Sequence, residues 1–269
     1  MNGFLILFGK LLSIFSRYFN LGSGSTWPGH TALSINNNFI KDILKANGQR
    51  LKTILVAGTN GKTTTGKLIQ AILEKNGNKV FQNQAGANLL NGIASSLISS
   101  SNFSEKINKD FAIFEIDENT LPLILKEINN PDFIIILNLF RDQLDRYGEI
   151  NSISKKWFDA LKKLDEKTTL ILNADDPQVA YLGLHLKGVN IKYFGINSTT
   201  NTNQIQHAAD STYCPNCSEK LTYSSVYFSH LGDWICDSCN FKHPQKTFAS
   251  SPFYPLTGAY NEYNTKTAP

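Results

Sequence analysis

The feature that most restricts this chain is the stretch Val56-Ala57-Gly58-Thr59-Asn60-Gly61-Lys62-Thr63-Thr64, set between a β-type run and a helix. Lys52 to Ala57 is short and apolar and ends at a glycine. From Lys62 to Lys75 the spacing turns helical, with Leu68, Ile69, Ile72 and Leu73 on one face and Gly77 closing it. Glycines at 58 and 61 let the backbone curl so that N–H groups point inward, and the helix N-terminus adds its partial positive charge. Lys62 can reach the β- and γ-phosphates of a nucleotide, and the Thr63 hydroxyl can ligate Mg²⁺. The common phosphate loop has a glycine where this chain has Val56. The bland reading is a glycine turn that only ends a strand. It leaves Gly-Lys-Thr at a strand-to-helix joint unexplained. The loop therefore predicts an ATP-binding, phosphate-transferring site in which Gly58, Thr59, Asn60, Gly61, Lys62, Thr63 and Thr64 surround the phosphates.

The rest of the chain keeps the same rhythm. Phe111 to Ile116, Phe133 to Leu137, Thr168 to Leu172 and Asn190 to Phe194 read as strands, and Leu121 to Ile128 and Ile153 to Leu164 as helices. Strands alternating with helices predict an α/β fold with a parallel sheet. A phosphate loop needs a carboxylate for its metal. Glu115 closes an apolar strand at the sheet edge where ligands bind, with Asp117 and Glu118 next, so Glu115 is the candidate magnesium ligand; an exposed acidic loop is the alternative. Asn138 falls on the same edge. The polar run Arg141 to Tyr147 follows it, where an arginine either neutralises phosphate or salt-bridges within the loop. By composition, residues 20–30 are a loop and 196–212 a linker.

Charge and composition exclude several classes. The 26 basic and 22 acidic residues show no clustered basic face, so nucleic acid is not an expected partner; pairs such as Lys155-Lys156 and Lys162-Lys163 read as solvated helix faces. Phe4 to Phe19 is apolar and aromatic but interrupted by Lys10 and Arg17, and shorter than the roughly 20 residues of a membrane span. It lacks the basic start and cleavage site of a signal peptide. It reads as an amphipathic helix that packs on the core or rests on a membrane surface or a partner. The four cysteines come as Cys214-x-x-Cys217 and Cys236-x-x-Cys239, eighteen residues apart. That spacing predicts an inserted zinc ribbon rather than two disulfides, in a cytoplasmic chain. Tyr223, Tyr227, Phe228 and Trp234 predict a small hairpin between the pairs. His230 and His243 are expected on the surface or in packing, since four sulfurs already complete a closed site.

Gly-Thr-Asn-Gly-Lys-Thr at 58–63, Asn-Ala-Asp-Asp-Pro at 173–177 and Tyr-Asn-Glu-Tyr-Asn at 260–264 together resemble the Mur ligases. Glu-Ile-Asp-Glu at 115–118, the run from Asn138 to Glu149, the cysteine insertion and the Ser25 to Gly29 loop are similar to one branch, the ligase-like subunits of lipid II isoglutaminyl synthases. The resemblance implies ATP and Mg²⁺ as cofactors beside Zn²⁺, with Lys62 and Glu115 catalytic and Thr63 and Glu115 holding magnesium. It implies that Asn261 and Asn264 meet the adenine side of ATP and that Asp175 and Asp176 lie near the nucleotide. It divides the chain into an N-terminal segment (1–48), a central ATP-binding domain (49–205), the ribbon (206–246) and a return to the central domain (247–269), and by this resemblance the family's C-terminal ligase domain is missing from the sequence. Amino-acid-adding members have Asp-His where this chain has Asp142-Gln143, and a carbamylated lysine where it has Trp157.

The activity implied is phosphorylation of the D-glutamate α-carboxylate of lipid II, followed by amidation with ammonia from a glutamine amidotransferase (GatD-like) subunit, at the inner face of the membrane. Two alternatives stay open: an amino-acid-adding Mur or folylpolyglutamate-type ligase, and a nucleotide-binding module without turnover.

Overall fold

The computed structural model describes residues 1–19, 26–84, 86–140, 149–196, 211–247 and 259–267. The chain divides into two compact units, Met1–Leu55 with Ile69–Asp132, and Val56–Leu68 with Phe133–Pro269.

The first unit opens with three helices, α1 (Asn2–Tyr18), α2 (Trp27–Ile35) and α3 (Phe39–Asn47). Strand β1 (Lys52–Ala57) starts here and crosses into the second unit, and helix α4 (Lys62–Lys75) returns. Then come β2 (Val80–Gln82), α5 (Leu90–Ser100), β3 (Phe111–Ile116) and α6 (Leu121–Glu127). The strand order in this unit is β2-β3-β1, with β2 and β3 parallel in the register Val80 to Phe111 and Gln82 to Ile113. Phe39, Ile40, Ile43, Ile93, Leu97 and Ile98 are completely buried, each contributing on the order of 2 kcal/mol from lost apolar exposure.

Residues 20–30 do not form one loop, because α2 already begins at Trp27. Pro28 sits in its first turn, where a fixed φ and a missing N–H cost nothing. Gly29 lets α2 lie directly on α5. A Cβ there would fall 1.9 Å from the Asn91 carbonyl oxygen, and the Gly29 N–H donates to Ser95 Oγ at 2.8 Å. Helix α1 buries Leu5 and Ile6 but leaves Phe4, Leu7, Phe8, Leu11, Ile14, Phe15 and Tyr18 exposed.

The second unit carries the end of β1, then β4 (Phe133–Ile136), α7 (Glu149–Leu161), β5 (Thr169–Asn173), α8 (Pro177–His185) and β6 (Asn190–Phe194). The order is β1-β4-β5-β6, and β4, β5 and β6 are parallel: Phe133 lies beside Thr169, and Thr169 beside Asn190. These strands read as almost unbroken apolar runs because both faces are covered, as parallel sheets require. Two further strands, β7 (Thr222–Phe228) and β8 (Leu231–Ile235), make an antiparallel hairpin, and α9 (Ala259–Lys266) follows. The expected linker at 196–212 lies largely outside the described residues.

Candidate functional site

The loop from Gly58 to Thr63 is held open by its own glycines and by the end of β4. Gly58 and Gly61 have φ of 139° and 87°, conformations that L side chains rarely adopt. The Leu137 N–H donates to the Ala57 carbonyl at 2.9 Å, and the Thr59 N–H to the Asn138 carbonyl at 3.1 Å. The buried Asn138 side chain grips Asn60 from both ends, accepting from its N–H at 2.9 Å and donating to its carbonyl at 3.1 Å. The Thr59 hydroxyl accepts from the Phe140 N–H at 2.9 Å. The Lys62 ammonium lies over the turn, donating to the carbonyls of Gly58 at 2.6 Å and Thr59 at 2.9 Å. This positions a cation where phosphate oxygens would be gripped.

Helix α9 closes the other side. Asn264 is buried, its Oδ1 accepts from the Thr65 hydroxyl at 3.1 Å, and a Cβ on Gly61 would meet that oxygen at 2.4 Å. Of the residues singled out from the sequence, Gly58 to Thr64, Asn138 and Asn264 are therefore gathered in one place. Asn261 is on the same helix, half-buried. Glu115 belongs to the other unit. It is 4% exposed, and Asn83 brackets its main chain, accepting from its N–H at 2.8 Å and donating to its carbonyl at 2.9 Å. The run Arg141 to Tyr147 lies outside the described residues.

Beyond β5, the two aspartates of the Asn-Ala-Asp-Asp-Pro stretch are fully buried. Asp176 caps α8, its Oδ1 accepting from the N–H groups of Gln178 and Val179, while its Oδ2 accepts from the Leu139 N–H at 2.8 Å. Asp175 is a junction. Its Oδ2 accepts from the Tyr263 hydroxyl and the Ile196 N–H, both at 2.8 Å, and its Oδ1 faces His243 Nε2 at 2.8 Å and Lys246 Nζ at 3.1 Å. Burial, reinforced by the Asp175 charge, raises the Tyr263 phenol well above its ordinary pKa, so it stays a donor. Asp233 joins His243 and Lys246 at 3.5 and 3.6 Å. The Lys246 ammonium already supplies positive charge among these carboxylates. Of the two places expected for His230 and His243, surface or packing, the structure has them packed: His230 is completely buried, with Nε2 3.4 Å from Asp176 Oδ2, and His243 is largely buried against Asp175. Tyr263 falls in the Tyr-Asn-Glu-Tyr-Asn stretch, but the pairing of Tyr263, His243 and Lys246 with Asp175 had no sequence signal, because that partner lies 68 to 88 residues away.

The four cysteines converge at the base of the hairpin. Cys214 and Cys239 have sulfurs 3.6 Å apart, Cys217 and Cys236 3.4 Å, and all four lie within 4.8 Å of one another. These separations exceed a disulfide bond of about 2.05 Å. They approach the edge of about 3.8 Å that four thiolates form around a zinc ion at about 2.3 Å. Burial pushes the Cys214 thiol up to about 12, whereas the Asn216 amide and the Phe241 main chain hold Cys239 down at about 6. Cys214 and Cys236 pack with Trp234, Phe241 and Ala180 in one buried cluster. The donor set suits a structural metal.

A glycine-lined loop at a strand-to-helix joint, backed by parallel strands, defines a phosphate-loop α/β domain. The chain belongs to the Mur ligase family, whose middle domain matches residues 56–268. It is 36% identical over 241 residues to "Lipid II isoglutaminyl synthase (glutamine-hydrolyzing) subunit MurT" of Streptococcus pneumoniae, covering 88% of this chain and 51% of that protein. It is 34% identical over 251 residues to the protein of the same name in Staphylococcus aureus, covering 91% and 54%. The chain thus spans about half the length of these relatives. Among solved structures, a pseudomurein peptide ligase type C from Methanothermus fervidus superposes with a TM-score of 0.59 at 26% identity, covering 85% of this chain and 47% of that one. MurF from Acinetobacter baumannii shares the fold, with a TM-score of 0.55 at 16% identity over 91% of this chain and 44% of its own. No helix among the described residues is long and apolar enough to cross a membrane.

Proposed function

We propose that this chain is the ATP-binding part of a lipid II isoglutaminyl synthase. The observation that carries the reading is the glycine loop pinned by Asn138 and covered by Asn264, in a chain about one-third identical to two proteins named for that activity. ATP transfers its γ-phosphoryl group to the α-carboxylate of D-glutamate in the lipid II stem, giving an acyl phosphate and ADP. Ammonia from a GatD-like glutaminase subunit then attacks the acyl carbon, phosphate leaves, and the amide remains. The amides of Gly58 to Thr64 hold the phosphates. Lys62 leaves the Gly58 and Thr59 carbonyls to meet the charge that develops on the moving group. Asn261 and Asn264 hold the adenine side. Thr63 is the magnesium ligand that the loop itself offers, and magnesium would supply charge neutralisation on the phosphates. Cys214, Cys217, Cys236 and Cys239 hold zinc, which supplies structural closure only, since four sulfurs leave no open position.

Trp157 supports amidation over amino acid addition. It is completely buried, and its indole carries no amine for carbamylation. The substrate is a lipid, and α1 suits a membrane surface: it exposes a row of aromatic and aliphatic side chains and has Lys10 and Arg17 but no acidic residue.

The test combines the chain, in a length that includes the remaining half of the relatives, with a glutaminase subunit, lipid II, glutamine and Mg-ATP. Amidated lipid II with one ADP per amide is expected. Incorporation of a free amino acid instead would establish the alternative ligase reading, and ADP binding with no product would leave a nucleotide-binding module. Flotation with anionic vesicles, lost in a Phe8→Glu/Phe15→Glu variant, tests the membrane contact.

A further inference from the structure

We infer that Asp175 and Tyr263 are positioning residues that couple the four-cysteine hairpin to the phosphate loop, so that metal in the cysteine site raises nucleotide affinity. The inference rests on the nucleotide-binding reading above.

The hairpin is seated directly on the turn after β5. The Gly232 N–H donates to the Asp175 carbonyl at 3.0 Å, and Trp234 Nε1 donates to the Ala174 carbonyl at 3.3 Å. Just past Cys239, the His243 N–H donates back to the Trp234 carbonyl at 3.0 Å, and its ring then meets Asp175 Oδ1. The position of His243 is thus set by the segment that the cysteines close.

Two routes lead from there to the loop. In the first, Asp175 Oδ2 accepts the Tyr263 hydroxyl, and the next residue, Asn264, rests on Gly61 and binds Thr65. In the second, the hairpin turn presses on Phe140: the rings of His230 and Phe228 lie 4.6 and 6.1 Å from it. Phe140 in turn bonds through its main chain to the Thr59 hydroxyl. All these groups belong to one unit, and Asp175 and His230 are completely buried. Displacing the hairpin therefore takes the His243 ring from a buried carboxylate whose remaining described partners are Tyr263 of α9, the Ile196 N–H and Lys246.

The experiment measures Mg-ADP affinity by titration calorimetry on the zinc-loaded and the chelator-stripped chain, with zinc content followed by a colorimetric chelator. The parent is compared with Tyr263→Phe and Asp175→Asn. Stripping zinc should weaken ADP binding about tenfold or more, and Tyr263→Phe about fivefold with zinc content and melting cooperativity retained. Stripping zinc from Tyr263→Phe should add less than it does in the parent, because both break the same connection. A loaded Tyr263→Phe chain that binds ADP as the parent does, or losses that simply multiply, overturns the coupling alone. A loaded parent that ignores ADP overturns the nucleotide reading and the coupling with it. Should stripped parent unfold, the loaded Tyr263→Phe and Asp175→Asn chains still decide the matter.

Discussion

The phosphate loop and the cysteine hairpin are both short, polar-rimmed segments of the second unit, yet they are ordered by opposite means. The loop is held by the protein's own groups: positive-φ glycines shape it, the end of β4 bonds its main chain, and the Asn138 side chain grips Asn60. The hairpin gathers four sulfurs at mutual distances below 4.8 Å, a concentration of thiols that an ion can satisfy and hydrogen bonds alone cannot. On the reading proposed above, the loop is shaped before its nucleotide arrives, whereas the hairpin is completed by its metal. Binding energy at the loop can then go to the nucleotide, while at the hairpin it goes to folding.

Cys236→Ser should give the largest effect. It removes a completely buried ligand and is expected to lower the melting temperature by on the order of 10 °C, with zinc no longer retained, as scanning calorimetry and metal analysis would reveal. If the hairpin keeps its stability without metal, the contrast with the loop disappears. Lys62→Ala should come next, reducing ATP-dependent turnover by about 10²-fold or more while melting stays within a degree or two. Gly61→Ala tests the loop's self-sufficiency. The Cβ meets Asn264 Oδ1 at 2.4 Å in a backbone with φ of 87°, and a loss of about 2 kcal/mol in stability or in ADP binding is expected by denaturation and titration. Asn138→Ala should be the mildest, about 1–2 kcal/mol, since it deletes two hydrogen bonds but leaves the Leu137 and Asn138 main-chain contacts. A null result there would mean that the glycines and the main-chain contacts suffice to shape the turn.

Much of this was readable in the sequence wherever local chemistry decides the outcome. The bounds of β1, α4, β3 and β6 follow from apolar runs meeting glycine or polar residues, and the cysteine pairs announce themselves because metal geometry imposes a spacing. Helix α2 was hidden. Trp27, Pro28 and Gly29 look like loop residues until Gly29 is seen against α5, a contact that only tertiary structure supplies. The Asn-Ala-Asp-Asp-Pro stretch could be recognised but not understood. Asp175 gets its meaning from Ile196, His243, Lys246 and Tyr263, which no window of sequence holds together. The exposed side of α1 was legible as amphipathic, because apolar side chains recur at helical spacing along a stretch that buries only part of them.

Asp176 carries a consequence for how the molecule comes into being. Its carboxylate joins the start of α8 to Leu139, 37 residues earlier, and lies against His230, 54 residues later. Closure over such separations is entropically slow. The corner around Asp176 therefore cannot be completed until the hairpin has been synthesised and has arrived. Until then the Asp176 carboxylate, buried in the finished fold, stays open to solvent, and a refolding phase that reports on it should follow the docking of the hairpin.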